Sequence, residues 1–134
     1  MPDYLYGLLW VALGSIFGGS ARYFLSGLIG RRVGEAFPWG TLTVNVTGCF
    51  AIGVLAATAD GQALTYAPAW WQLTVVGFLG TYTTVSSFSL QMLMLVRDGD
   101  RGRAGGYVLL SLTLCLAAAA LGLAFGAAAI GGTA

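Results

Sequence analysis

The sequence predicts an all-α membrane protein with four transmembrane helices per subunit, and three observations predict it. First, 57% of the 134 residues are hydrophobic and only 8% charged, against about 25% charged in an average soluble domain. Six Arg and five acids cannot cover the surface of a soluble globule this small. Second, the apolar residues gather into four stretches, at about 4–29, 41–59, 70–96 and 105–130. Each is near or beyond the ~20 residues that cross a ~30 Å hydrocarbon core. Third, all five acids (Asp3, Glu35, Asp60, Asp98, Asp100) and five of the six Arg fall in the gaps or at the ends. Residues 1–134 therefore read as a single transmembrane domain embedded in a lipid bilayer.

No Lys or Arg precedes the apolar part of the first stretch, and three more spans follow it. It is expected to be a span rather than a cleaved signal peptide. Gly14 and Gly18 lie at four-residue spacing, which makes a face for close helix packing. Arg22 is the one ionisable group within a span, about 10 Å inside the Ile29 end. Two readings of it stay open: it raises anion concentration in a vestibule, or it snorkels to carbonyls and lipid headgroups.

Pro38 precedes the second span and Pro68 the third, at helix starts, where a missing N–H leaves nothing unsatisfied. In the second span Thr41, Asn45 and Gly48 share one helical face. Asn in lipid belongs in the bundle interior. There its amide either donates to an anion or makes a structural bond between helices.

The third span has 27 residues, about 40 Å as one helix. Its middle, from Gly77 to Ser89, holds Gly77, Gly80 and six Ser or Thr residues. Two readings stay open here also. One is a helix broken near the bilayer midplane, with exposed carbonyls facing a cation; the other is a continuous helix whose hydroxyls serve interhelical packing. In the fourth span Tyr107, Ser111 and Cys115 form a weakly polar track at i, i+4 and i+8.

The connections are short, so consecutive helices are expected to be antiparallel neighbours. The connections at 30–40 and 97–104 share one side and carry Arg31, Arg32, Arg97, Arg101 and Arg103; the other side carries no Lys or Arg. This bias predicts those two connections in the cytoplasm and both termini outside the cell membrane. The chain has no His and no Lys, which excludes imidazole catalysis, His metal ligands and Schiff-base chemistry. Cys49 and Cys115 lie in apolar runs without CxxC spacing and read as packing residues. A net charge of +1 offers no basic stripe for nucleic acid. No Asp, Glu or His lies within a span, so no side chain is placed to carry a coupling proton. That favours a passive pore over a proton-driven antiporter.

Three segments resemble the CrcB/Fluc family of fluoride channels: Gly18 to Tyr23, Pro38 to Phe50, and Gly77 to Ser89. The resemblance implies a broken third helix and two four-helix subunits packed antiparallel as a dimer. It also implies passive fluoride export that relieves toxicity, and one structural, non-transported Na⁺ held by the backbone carbonyls of Gly80 and Thr83. By motif position, Phe88 matches a pore-lining ring. The expected fluoride pathway comprises Asn45, Phe88, Thr41, Ser87, Tyr107, Ser111 and Cys115, with Arg22 at a vestibule or in a structural role. Val85 stands where family members often carry Phe, and Gln91 where many carry Glu. One ring and one carboxylate are thus missing. A homodimer that tolerates Val85 and a pairing with a related, oppositely inserted subunit are both expectations. A small multidrug-type cation antiporter shares the size and span count but normally needs a membrane carboxylate. A non-transporting assembly subunit is the third class.

Overall fold

The computed structural model describes residues 3–34, 36–59 and 68–131. All regular structure among them is helical, and four helical stretches are long and apolar enough to cross a membrane. The chain is a multi-pass membrane protein. Large apolar side chains face outward along every span, among them Leu8, Phe17, Phe24, Leu116 and Phe125. That inversion is stable in lipid, where outward apolar surface costs nothing.

Helix α1 (Asp3–Val33) ends at Gly34, whose φ of +103° is open to glycine at little cost. The Gly34 N–H returns to the Gly30 carbonyl at 2.9 Å, closing the last turn. Pro38 and Pro68 take the N-cap positions of α2 (Trp39–Thr58) and α3 (Ala69–Trp71). Residues 60–67 of the second connection lie outside the described residues.

The third span is irregular. After α3 it widens into a π-helical segment, π1 (Gln72–Leu79), and then tightens into α4 (Gly80–Tyr82). Thr83 is extended (φ −78°, ψ 160°), and helical geometry resumes as α5 (Ser86–Arg97). Helix α6 (Arg101–Gly131) follows. Asp100 begins it as a cap, its carboxylate accepting the Arg103 N–H at 3.1 Å.

Two helix contacts organise the bundle: α1 against π1, and α2 against α6. Both bring backbone to backbone. A Cβ on Gly77 would stand 2.6 Å from the Val11 carbonyl oxygen and 2.9 Å from the Gly14 Cα. The Gly14 and Gly18 face read from the sequence is the one that meets the third span. On the other seam, a Cβ on Gly53 would run into the Ala119 carbonyl oxygen. With no hydrophobic drive between helices in lipid, such close approach supplies the dispersion that holds them together.

Candidate functional site

Helices α2 and α6 run parallel and in register. One sequence offset separates Gly53 from Ala119, Cys49 from Cys115, and Thr41 from Tyr107. The same offset sets Asn45 level with Ser111. The polar stripe of the second span and the polar track of the fourth are therefore two sides of one ladder. Against this ladder, π1, α4 and α5 close a cavity of about 500 Å³. Asn45, Gly80, Thr83, Phe88, Ser111 and Cys115 all line it, within a mostly apolar wall that includes Leu79 and Leu112.

The centre of the site is Asn45. Its Nδ2 donates to the Thr84 carbonyl at 2.9 Å, and its Oδ1 accepts the Thr84 N–H at 2.8 Å. One amide thus binds both backbone groups of one residue across two spans. This leaves Asn45 a second N–H for another acceptor. The clamp has a consequence for the carbonyls beside it. In an uninterrupted helix the Thr84 N–H would go to the Gly80 carbonyl, and the Ser87 N–H to the Thr83 carbonyl. Instead, Thr84 N–H goes to Asn45, and Ser87 N–H goes to the Thr84 hydroxyl at 3.2 Å. Gly80 and Thr83 therefore both lose their helical donors.

Ser111 lines the same cavity as this clamp. It is 6% exposed, and its hydroxyl has no hydrogen-bond partner among the described residues. A buried O–H without an acceptor costs about 1–3 kcal/mol, and this one borders the cavity. No Asp or Glu is among the cavity's lining residues.

The remaining candidates lie around this centre. Phe88 bridges the cavity and Tyr107, with ring centroids 5.0 Å apart at 41°. Ser87 is half-buried and shares the Thr84 hydroxyl, which reaches its Oγ at 3.3 Å. Tyr107 is fully buried; its O–H donates to Gln91 Oε1 at 3.1 Å, and its ring meets Phe37 edge-on. The Tyr107→Phe variant is expected to lose about 1 kcal/mol of stability with its ring packing intact. Thermal unfolding in detergent checks this.

Thr41 is buried beside Tyr107 and, with Gln91, borders a second cleft of about 640 Å³. This cleft sits where the connections around Gly34 and Asp98 converge, so both Arg-bearing connections lie at one end of the bundle. Arg22 is half-buried on α1 and is not among the residues lining either space. Its carbonyl accepts the Ser26 hydroxyl at 2.7 Å.

The family model described as "CrcB-like protein, Camphor Resistance (CrcB)" matches residues 9–123. The chain belongs to this CrcB-like family. Its similarity to individual members is also high. It is 58% identical over 125 residues to "Fluoride-specific ion channel FluC 2" of Rhodopseudomonas palustris, covering 92% of this chain and 95% of that protein. It is 53% identical over 119 residues to "Fluoride-specific ion channel FluC 2" of Bradyrhizobium diazoefficiens, covering 88% and 87%. A third relative, "Fluoride-specific ion channel FluC" of Opitutus terrae, is 51% identical over 115 residues, covering 85% and 87%.

Two features of this CrcB-like chain escape sequence reasoning. Thr84 is the hydrogen-bond hub of the site, yet it looks no different from Thr83 in the Thr-Thr pair. The only available signal was that Asn45 needs a partner in lipid. Gln91, noted only as a missing carboxylate, holds Tyr107 in place.

Proposed function

We propose that this chain is a subunit of a fluoride-selective channel that passively exports the anion and so lowers its toxicity. The observation that carries the proposal is the cavity wall that the Asn45 clamp shares with Ser111. Its buried polar group without a partner among the described residues, Ser111, is a donor, and none of the described residues lining the cavity is a carboxylate that would repel an anion. Three relatives that match over most of the chain carry the name of such a channel. Fluoride is small and strongly hydrated, so a selective path must replace its water with close donors. The Ser111 hydroxyl, the second Asn45 N–H and the positive edge of the Phe88 ring are such donors. Thr41, Ser87, Tyr107 and Cys115 extend this path, and Arg22 attracts anions to its mouth or anchors α1. An interior-negative potential drives an anion outward by about 2.3 kcal/mol per 100 mV, so export needs no coupling. The antiporter alternative lacks its carboxylate, and nothing favours a non-transporting assembly role.

The working unit in this reading is an antiparallel dimer in the inner membrane. Val85 is 77% exposed at the interruption between α4 and α5, a surface that a second subunit would cover. The interruption would then lie near the bilayer midplane. A structural Na⁺ fits the Gly80 and Thr83 carbonyls, because both have lost their helical donors and no cation other than one held by oxygen suits them. When bound, the ion would join the two subunits by neutralising these carbonyl dipoles. In the orientation favoured by the Arg bias, the connections at 30–40 and 97–104 face the cytoplasm.

Fluoride efflux from liposomes containing this polypeptide alone, read with a fluoride electrode, is the test. Efflux confirms a self-sufficient channel. Efflux only after co-reconstitution with an oppositely inserted relative establishes a mixed dimer, and none in either case overturns the proposal. Ser111→Ala is expected to lower efflux about 10-fold or more, the worth of one hydrogen bond to a charged group. The same change should not lower thermal stability, because the hydroxyl has no partner among the described residues to lose.

A further inference from the structure

We propose that Cys49 and Cys115 form a two-thiol site for one soft divalent cation of the Hg(II) kind, and that filling it closes the cavity. The two cysteines occupy one rung of the α2–α6 ladder. Both line the cavity and both are partly exposed to it. Cys49 and Cys115 stand at the same sequence offset that brings Gly53 onto Ala119 across the α2–α6 seam. The rung is held firmly, because one turn further along Gly53 meets the Ala119 backbone. One turn the other way, the unpartnered Ser111 hydroxyl, 6% exposed, borders the same space. The thiols therefore open onto a mostly apolar space that carries one unsatisfied hydroxyl, rather than into a sealed seam.

The ligand class follows from charge and coordination number. A divalent cation binding both thiols breaks two S–H bonds, forms two S–metal bonds and releases two protons to water, with no change of oxidation state. The product is neutral, which an apolar wall tolerates; a monovalent metal would leave one uncompensated negative charge. Zinc normally takes four ligands. Among the described residues, no group of three or more His, Cys, Asp or Glu stands together. Two thiolates alone suit a soft ion that accepts linear two-coordination, and Hg(II) is the probe of that class. The metal would sit beside Ser111 and Asn45, in the space the anion is proposed to use. This last point rests on the channel reading; the binding itself does not.

The test begins with the intact chain in detergent, titrated with HgCl₂ in the presence of excess 2-mercaptoethanol as a monothiol competitor. One Hg retained per chain after removal of the competitor is expected, and a parallel titration without the competitor should show near-ultraviolet thiolate-to-metal absorption and release of two protons per Hg. Cys49→Ala and Cys115→Ala should each lose the metal to the competitor, because the chelate is gone. No retention, two Hg per chain, or a single-cysteine variant that holds the metal as tightly overturns the site. In vesicles, one equivalent of Hg should reduce wild-type fluoride efflux at least 10-fold and leave Cys49→Ser unaffected. Retention without loss of efflux overturns closure. Retention by a chain that shows no efflux before metal is added supports the site and counts against the channel. Normal efflux without retention does the reverse.

Discussion

Asn45→Asp is expected to abolish fluoride efflux while leaving a folded, monodisperse protein. The substitution keeps the acceptor for the Thr84 N–H, 2.8 Å away in the wild type. It removes the donor to the Thr84 carbonyl, so a carboxylate oxygen faces a carbonyl oxygen where 2.9 Å now separates a bonded pair. Two penalties follow, both with the same sign for function. The clamp loses a partner, at about 1–3 kcal/mol for a carbonyl left unsatisfied. A negative charge then borders the cavity; at 4 Å and an effective dielectric of about 20 it repels a fluoride by about 4 kcal/mol. That repulsion alone is worth roughly a thousandfold in occupancy.

Acidification gives an internal check on Asn45→Asp. A protonated carboxyl is neutral and offers one donor and one acceptor, the pattern that Thr84 requires. Efflux through the variant should therefore recover as pH falls, after subtraction of the leak through protein-free vesicles. Wild-type efflux measured in parallel should show no matching rise. Unchanged efflux in Asn45→Asp at neutral pH would remove Asn45 from the pathway.

The span count and the helix starts at Pro38 and Pro68 were legible because lipid imposes few solutions: apolar runs of sufficient length, with charge at their ends. The two polar stripes were legible singly, as i and i+4 spacings on α2 and α6. Their register was not, because periodicity within one helix says nothing of its height against another. That height is set by glycine contacts, such as Gly53 on Ala119, whose partners no spacing rule names. For the same reason Cys49 and Cys115 read as unrelated packing residues. Tyr107 shows a different limit. It shares its track with Ser111, but its ring is drawn into a cluster with Phe37 and Phe88, and its hydroxyl turns to Gln91. The π-helical turn over Gln72–Leu79 was also invisible, since its residues have no composition that distinguishes it from an α-helix.

Gly14→Leu is expected to be the most destabilising single change in the bundle, at about 3 kcal/mol or more, and to abolish efflux as well. A Cβ on Gly14 would overlap the Leu73 carbonyl oxygen and stand 2.8 Å from the Phe78 nitrogen and 3.0 Å from the Gly77 Cα. All three obstacles are backbone, so no rotamer change relieves them. Overpacking at side chains costs typically 1–3 kcal/mol, and here two helices must separate. Lipid supplies no hydrophobic force to draw them back. Displacement of π1 would carry Val75 and Leu79, both in the cavity wall, away from the Asn45 clamp. Gly19→Leu is the control, five residues along the same helix with nothing within 4 Å of its added Cβ. Its thermal midpoint in detergent should stay near wild type, while that of Gly14→Leu falls by many degrees. Equal midpoints for the two variants would mean that α1 is not held against π1 by backbone contact at Gly14, and the packing of the third span would need another cause.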